Sequence, residues 1–547
     1  MKHIAWALLL LSACRGPEPT TTTTSATYVT NPGLVLSSHS SDGLVVTMTA
    51  NAPFLSPVIL DGHEHTAMTI KGYQLRARTG APLLPEARRL IAVPAGHSVR
   101  VEILDEERDP PMTVTTPLAF AYRQERHDAH AVYTARDQNA YRQVWGEAAV
   151  SVVEESFFGH QRVAVLKFHP LRYDAVHGTL ELRRQVRISV QFTADGAVDL
   201  APMADTDLRL VASLVMNPDN ADRPLVRIVR DLLIANEGYR DALKPLVDYK
   251  KAHGRDVTEV YYGRTTTTEV MQRIRDEYRT NAPQTTMLVG SIDQIPSWRT
   301  DGIWTDVNYA NLDSGSIPDV ALGRLPAQTP QEVSAFVAKA IGRAEARRNP
   351  DNFLLTAGSD TSMGCPANVD EIGAILRQNR ATVSINKLYR ANGASQQQII
   401  AGYNSNPNVI VYDGHGDQSG MTEIPFLISH LPQLTNEVYP IILDIACLNA
   451  NWPSTGANRR NFAETILLRP GRGAAGIVAA GGNSGGHEFF QAMATSMTES
   501  IRLMNEGNQA LAVAEMGKVV LAAKVTAESS EDRDMFNYYG DPATSVF

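Results

Sequence analysis

The pattern of apolar and polar positions divides the chain into two parts with different periods. Between residues 28 and 200, apolar and polar residues alternate in short runs such as Val99-Arg100-Val101-Glu102-Ile103, and turn residues such as His177-Gly178 separate the runs. Alternation with a period of two is typical of strands that bury one face. This part therefore predicts a separate antiparallel β domain, followed by a loop-rich linker at residues 201–222.

From residue 223 onwards, short and almost continuous apolar runs alternate with helical patterns. A helix is predicted at about residues 239–252, and Thr329-Pro330-Gln331-Glu332 is a capping box that starts another helix. Continuous apolar runs predict parallel strands that are covered on both faces, and their alternation with helices predicts a doubly wound, mostly parallel α/β sheet. We predict its strands at residues 232–234, 286–289, 319–322, 353–357, 383–388, 409–412, 441–446 and 476–480.

The N-terminus departs from this globular pattern. A short basic start precedes an apolar stretch that is far shorter than the ~20 residues needed to span a bilayer, so residues 1–13 predict a signal peptide. Leu11-Ser12-Ala13-Cys14 resembles a bacterial lipobox, in which Cys14 is acylated. The Thr-rich residues 14–27 then form a lipidated, solvated tether. We expect an exported protein on the bacterial outer membrane or cell surface, with release on processing as an alternative.

Composition narrows the range of partners. The chain has 547 residues, 43% of them hydrophobic, which suits two or three globular domains. A net charge of −9 without a long basic run argues against nucleic acid as a partner. Its cysteines are Cys14, Cys365 and Cys447, so lipidation of Cys14 leaves one conceivable disulfide, which we do not expect to form. Cys365 is instead interpreted as a buried apolar residue or a pocket-wall residue.

His415 and Cys447 each follow the end of a predicted strand. In open parallel sheets, ligands and chemistry collect beyond the carboxyl ends of the strands. If these two strands are neighbours, the imidazole and the thiol share one edge, which is the geometry of a cysteine–histidine nucleophile pair. Singly, a turn histidine and a buried cysteine would be the commoner interpretations, but together the two residues favour catalysis. We expect the backbone amides of Gly416 and Cys447 to form the oxyanion hole.

Two motifs resemble the gingipain family of cysteine peptidases. They are Tyr412-Asp413-Gly414-His415-Gly416 and Asp444-Ile445-Ala446-Cys447-Leu448-Asn449, whose His and Cys are 447 − 415 = 32 positions apart. Further matches extend over residues 232–547, and the preceding β domain resembles the propeptide of the family. The resemblance implies a caspase-like peptidase domain at residues 223–547 and a prodomain at residues 28–200 that inhibits it in a zymogen.

The resemblance also assigns roles to single residues. His415 matches the catalytic histidine, a general base and acid, and Cys447 matches the nucleophile that forms an acyl-enzyme. Asp360 falls at the acidic residue of the family that lies near the histidine, although a loop-capping aspartate is an equally good interpretation. The resemblance implies protein or peptide substrates and the chain's own prodomain as inhibitor. Within the linker, Arg209 is one possible site of activation cleavage, and Arg223 is a poorer one because a proline follows it.

The substrate pocket departs from the arginine-specific members. The position of their pocket aspartate corresponds to Cys365, and their aromatic lid corresponds to Gly482-Asn483-Ser484-Gly485-Gly486. Asp413 is the candidate that supplies a negative charge to the pocket instead, so cleavage after Arg or Lys is a hypothesis. The remaining substrate-binding candidates are Ile445, Gly482, Asn483 and Ser484.

No metal site is predicted, and the chemistry requires no cofactor. Gingipains bind structural calcium, so the resemblance allows for it. Asp301, Asp306, Asp313 and Asp319 do not have EF-hand spacing, however, and are expected to form a solvated acidic surface. Asp444 lies within an apolar strand, where a carboxylate needs a hydrogen bond or a partner, and its match to the family motif implies structural use rather than direct catalysis.

Two other functions compete with the cysteine peptidase. The segment around Ser484 fits the G-x-S-x-G loop of serine hydrolases, but His487 follows at once, whereas such a loop should precede its histidine with an acid between them. A serine hydrolase is therefore the weaker alternative. The rival from another class is a non-catalytic, peptidase-like surface module that binds peptides without turnover.

Overall fold

The computed structural model describes residues 33–546 with internal gaps. The gaps are residues 61, 122–123, 128–129, 134, 159–160, 196–210, 213, 222–228, 301, 313–314, 316, 347–350, 360–363, 379–381, 453–459, 484–486, 506–514 and 527–529. The chain divides into two compact units, one built mainly from residues up to Val198 and the other mainly from Asp222 onwards. Among the described residues, no helix is both long enough and apolar enough to cross a bilayer. The predicted signal peptide and Cys14 lie outside the described residues.

The first unit consists of antiparallel β structure. One sheet contains Leu34–Ser40, Gly43–Thr49, His97–Arg108, Met112–Thr113, Val144–Trp145, Leu171–Asp174 and Thr179–Ala194. A second sheet contains Gln74–Arg76, Leu84–Ala92, Val150–Phe158 and Gln161–Phe168, and two hairpins contain Phe54–Leu60 with His63–Thr69 and Gln124–His127 with His130–Tyr133. Alternate residues of Gly43–Thr49 are buried, as a period of two requires. The predicted antiparallel β character of this region is confirmed.

Part of the predicted linker belongs to this unit. Val215 forms a parallel bridge with Leu90. The side chain of Asn217 accepts a hydrogen bond from the N–H of Ala92 and donates one to its carbonyl oxygen, both at 2.8 Å. The amide group of Asn217 therefore acts as a backbone-like partner at the edge of the sheet.

The second unit is built on a ten-stranded sheet. Its strands are β1 Val229–Asn236, β2 Arg255–Tyr262, β3 Thr285–Val289, β4 Ala321–Leu325, β5 Asn352–Ala357, β6 Ser384–Tyr389, β7 Val409–Asp413, β8 Ile441–Ile445, β9 Gly476–Ala480 and β10 Phe536–Gly540. Their order across the sheet is β2-β1-β3-β4-β10-β9-β8-β7-β5-β6. Neighbours are parallel except β9 and β10, which are antiparallel. The sheet therefore consists of two parallel halves that run in opposite directions.

Helices cover both faces of this sheet. They are α1 Arg240–Ala252, α2 Thr267–Asn281, α3 Val307–Ala310, α4 Pro330–Glu345, α5 Cys365–Arg377, α6 Gln396–Asn404, α7 Phe462–Leu468, α8 His487–Asn505, α9 Met516–Thr526 and α10 Ser530–Met535. Residues of α1, α4, α6 and α7 pack in one buried cluster with alternate residues of the central strands, and residues of α5, α8 and α9 pack in another cluster with the intervening strand residues. The predicted doubly wound, mostly parallel α/β sheet is confirmed.

The predicted elements are close to those observed. The helix predicted at residues 239–252 begins at Arg240, and Thr329 and Glu332 form the predicted capping box at the start of α4. Two strands were not predicted. In β2 most residues are only half-buried, and β10 contains a polar residue between aromatic ones, so neither has a continuous apolar run.

The prediction of a solvated acidic surface is wrong for two residues. Asp306 is 4% exposed and Asp319 is 1% exposed. The carboxylate of Asp306 accepts two hydrogen bonds from the guanidinium of Arg324, at 2.5 and 2.8 Å, and that of Asp319 accepts one from the N–H of Leu312 at 2.7 Å. Buried carboxylates with such partners stabilise loops, and the sequence gives no signal for them because each pairing exists only in the folded loop. Asp301 and Asp313 lie outside the described residues.

Candidate active site

Strands β7 and β8 bring His415 and Cys447 to the same edge of the sheet. The two strands are parallel neighbours, and Asp413 pairs with Ile445 at the last position of their register. His415 and Cys447 each follow two residues beyond that pair. The N–H of Gly414 continues the ladder by donating to the carbonyl oxygen of Ile445 at 3.3 Å. Both site residues are half-buried, so a substrate can reach them.

The two loops that carry these residues touch. A methyl group built on Gly416 would lie 2.9 Å from the carbonyl oxygen of Cys447, 2.7 Å from Oδ1 of Asn449 and 2.8 Å from Cβ of Ala446. Only glycine fits such a close approach of two backbones. The glycine after His415 therefore lets the histidine loop lie directly against the cysteine loop.

The backbone of His415 is held on both sides. Its carbonyl oxygen accepts hydrogen bonds from the hydroxyl of Tyr412 at 2.7 Å and from the N–H of Thr422 at 3.0 Å. Burial, with smaller contributions from nearby carboxylates, raises the pKa of Tyr412 well above its ordinary value, so its hydroxyl remains a donor at neutral pH. The N–H of His415 donates to Oε2 of Glu423 at 3.0 Å.

The residue after Cys447 adopts an unusual backbone conformation. Leu448 has φ = 62°, in the left-handed region that β-carbon-bearing residues rarely occupy. Its N–H donates to the carbonyl oxygen of Gly482 at 2.9 Å, and the N–H of Ala450 donates to that of Ala480 at 3.0 Å. The segment after Cys447 is thus fastened to the end of β9. Strained residues of this kind persist where the surrounding structure fixes them, and they cluster at functional sites.

Asp444 supports this loop from inside the sheet. It is fully buried, and its Oδ2 accepts a hydrogen bond from Nδ2 of Asn449 at 2.7 Å. Burial raises the pKa of Asp444 to about 7, because little surrounds the carboxylate that could solvate its charge. The predicted structural use of Asp444 agrees with this hydrogen bond, which ties the end of β8 to the segment after Cys447.

The candidates for substrate binding lie around the same edge. Asp413 is 3% exposed, and its Oδ2 accepts a hydrogen bond from Nδ2 of Asn368 at 2.9 Å. Ile445 is 4% exposed, whereas Asn483 is exposed. A methyl group built on Gly482 would lie 2.8 Å from Cγ1 of Ile303, so this part of the edge is closed by an aliphatic side chain.

Two candidates cannot be placed, and one residue was missed. Asp360 and Ser484 lie outside the described residues. Cys365 is fully buried, in agreement with the interpretation as a small buried residue, and the described residues contain no disulfide between Cys365 and Cys447. Sequence reasoning missed Glu423, whose only local signal is an acidic residue between the apolar Met421 and Ile424.

The described residues provide no clustered metal ligands. Within the described ranges, His, Cys, Asp and Glu side chains form no group of three or more that could hold a metal ion. Calcium also binds carbonyl oxygens of the backbone, so the expectation of structural calcium stays a prediction.

A family profile matches most of the second unit. The profile of peptidase family C25 matches residues 227–547, which is 547 − 227 + 1 = 321 of the 547 residues. This chain belongs to peptidase family C25. The profile of the C25 propeptide matches residues 25–205. The family C25 chain therefore carries a propeptide before its peptidase domain, the arrangement of a zymogen.

The gingipains that this chain resembles are distant from it in sequence. Gingipain R2 of Porphyromonas gingivalis is 23% identical over 403 residues, covering 68% of this chain and 54% of its own length. Lys-gingipain W83 of the same organism is 22% identical over 501 residues, covering 83% of this chain and 28% of its own length. The C25 chain thus spans about half or less of the length of these relatives.

A solved structure shares the fold. The crystal structure of the Arg-specific cysteine proteinase gingipain R matches with a TM-score of 0.50 and 21% identity, over 59% of this chain and 80% of that chain. The predicted caspase-like peptidase fold is thereby confirmed. At this identity the likeness concerns the fold, and the specificity in that title belongs to that protein.

Proposed function

We propose that this family C25 chain is a cysteine endopeptidase in which Cys447 attacks the scissile carbonyl and His415 moves the proton. The imidazole takes the thiol proton, the thiolate forms an acyl-enzyme, and the imidazolium protonates the leaving amine before water releases the acid product. The observation that carries the proposal is the register of β7 and β8. It sets His415 and Cys447 at equal distance beyond one strand pair, with their loops in contact at Gly416.

Backbone amides are the proposed oxyanion donors. The amides of Gly416 and Cys447 lie in the two loops that touch, and both loops are fixed by hydrogen bonds to neighbouring segments. Fixed donors stabilise a developing oxyanion without reorganisation. Asp360 is proposed as the acid that orients the imidazole, because it follows β5, the other neighbour of β7.

Asp413 is the proposed source of a preference for Arg or Lys. The carboxylate is buried at the end of β7, two residues before His415, and it accepts a hydrogen bond from Nδ2 of Asn368. We expect the kcat/KM of Asp413→Asn to fall at least about tenfold on peptides with Arg or Lys before the scissile bond, and little on peptides with alanine there. A fluorogenic panel measures both. Equal losses on both classes, or a wild type without preference for basic residues, would remove the assignment.

The remaining proposals concern export and regulation. The prodomain is proposed to block the site until the linker is cut, and Cys14 is proposed to hold the protein on the outer membrane through its lipid. Palmitate labelling of wild type and Cys14→Ala checks the anchor.

The proposed chemistry requires no cofactor, and a drop in Tm on addition of EGTA would show structural calcium.

The proposed peptidase activity is tested with one variant and two active-site reagents, one directed at cysteine and one at serine. Peptide turnover should be abolished in Cys447→Ala, and iodoacetamide should inactivate the wild type while a serine-directed fluorophosphonate does not. Turnover that survives Cys447→Ala, with the fluorophosphonate attached to Ser484, would show a serine hydrolase. A correctly processed wild type that binds peptides but cleaves none would show the non-catalytic module.

A further inference from the structure

We propose that Glu423 is a positioning residue that fixes the backbone of His415 for catalysis. The inference rests on the proposed function and adds a carboxylate to the site that the sequence motifs do not contain. Glu423 lies eight residues after His415, in the turn between the short strands Gly420–Met421 and Phe426–Leu427.

The carboxylate of Glu423 joins the ends of two neighbouring strands. Its Oε2 accepts the hydrogen bond from the N–H of His415 at 3.0 Å, beyond β7. Its Oε1 accepts a hydrogen bond from the hydroxyl of Ser359 at 3.3 Å, beyond β5. Hydrogen bonds to an ionised carboxylate are stronger than those between neutral groups. One side chain therefore ties the histidine loop to the segment that leads towards Asp360.

Two glycines make room for this carboxylate. A methyl group built on Gly358 would overlap Oε2 of Glu423, and one built on Gly414 would lie 2.8 Å from the same oxygen. The φ of neither glycine falls in the left-handed region, so their backbones do not themselves require glycine. Both positions require glycine because a side chain would have no space. At Gly358, the atoms that such a side chain would meet first belong to Glu423.

The segment that carries Glu423 is anchored in the core. Met421, Ile424 and Phe426 are fully buried, and the N–H of Thr422 donates to the carbonyl oxygen of His415 at 3.0 Å. The position of Glu423 is therefore set by buried residues on both of its sides. An anchored acceptor at the N–H, together with donors at the carbonyl oxygen, fixes the backbone of His415 and with it the direction of the bond from Cα to Cβ.

This arrangement makes a specific kinetic prediction. A small misplacement of a catalytic group lowers the rate of the chemical step far more than it weakens substrate binding. Glu423→Ala should lower kcat roughly 10- to 100-fold with KM changed less than about twofold. Glu423→Gln keeps an oxygen acceptor for the N–H of His415 and should restore kcat to within about threefold of wild type.

A double-mutant cycle with Gly358 tests the contact itself. In the wild-type background, Gly358→Ala should displace the Glu423 carboxylate and lower kcat about as much as Glu423→Ala does. In the Glu423→Ala background the space is already free, so the same substitution should cost little more. Glu437→Ala, which removes an exposed carboxylate before β8 at the far end of the strands, is the matched control and should keep wild-type kcat.

All variants are compared after processing, with active sites counted by iodoacetamide incorporation and folding monitored by Tm. The proposal is overturned if Glu423→Ala keeps wild-type kcat per active site, if Glu423→Gln loses as much as Glu423→Ala, or if the two substitutions lower kcat additively. These outcomes require an active wild type. A wild type without turnover would instead overturn the proposed function, so the two failures are distinguishable.

Discussion

The burial of Asp444 should make the free energy of unfolding depend on pH. Its folded-state pKa of about 7 lies above the ordinary value of 3.8, so the folded protein binds an extra proton between these values. The resulting stabilisation is complete below pH 3.8 and is lost as the pH rises through 7, at about 1.4 kcal/mol per pH unit. Asp444→Asn keeps an oxygen for Asn449 but cannot ionise. In the inactive Cys447→Ala background, we expect it to raise the free energy of unfolding at pH 8 and to change it little at pH 4.

Urea unfolding of both proteins across this pH range provides the measurement. If the stability difference between them is the same at pH 4 and pH 8, the carboxyl group of Asp444 does not titrate in this interval and the account of its burial is wrong.

At the residue scale, the sequence predicted the site residues that follow the ends of strands. It missed the residues whose role depends on contacts with distant parts of the chain. The positions of His415, Cys447 and Gly416 followed from two apolar runs and from the rule that chemistry collects beyond parallel strands. Glu423 could not be found in this way, because its role depends on a turn that folds back onto the strand end. The burial of Asp306 likewise depends on Arg324, a partner 18 residues away in the chain.

At the scale of elements, Lys339 joins α4 to the end of α7 and to the segment that follows it. Its Nζ donates to the carbonyl oxygens of Leu467, Arg472 and Ala474, at 2.5, 3.1 and 2.9 Å. Burial lowers its pKa to about 7 from the ordinary value of 10.5, so the unfolded state binds more protons between these values. Stability from this group is complete above pH 10.5 and falls as the pH drops through 7.

Removal of this amine should loosen the end of α7. We expect Lys339→Met to lower the free energy of unfolding by about 1–3 kcal/mol at pH 10, where most of the stabilisation by the neutral amine is present, because the buried carbonyl groups around it lose its N–H donors. Lys244→Met, whose parent side chain is 70% exposed on α1, should change it by less than about 0.5 kcal/mol. Equal effects of the two substitutions in the Cys447→Ala background would contradict the proposed role of Lys339.

The sequence predicted most elements of the sheet but not its division into two opposed halves. Every strand with a continuous apolar run was found, including β7, β8 and β9. The two halves meet at β10, the last strand in the chain, which is parallel to β4 and antiparallel to β9. The pairing of β10 with β4 joins Arg324 and Tyr539, which are 539 − 324 = 215 positions apart, and no local pattern reports it.

At the scale of the whole molecule, the propeptide and peptidase segments predict a latent protein. We expect the full-length chain to have little activity and to gain it when the linker is cut. Arg209→Ala should slow this conversion, whereas Arg223→Ala should not, because the proline after Arg223 disfavours cleavage there. Activity and chain length are followed together over time, by peptide hydrolysis and gel electrophoresis. Full activity of an uncut chain would contradict the zymogen account.

The most direct test of the central claim is the rate at which iodoacetamide alkylates Cys447 at pH 6.5, in the wild type and in His415→Ala. An isolated cysteine thiol is only about 1% ionised at this pH, whereas a thiol paired with an imidazole is largely ionised. If β7 and β8 pair the two groups, the processed wild type should react at least about tenfold faster than His415→Ala. Equal rates in two folded proteins would mean that the imidazole does not act on the thiol, and the cysteine peptidase account would be wrong.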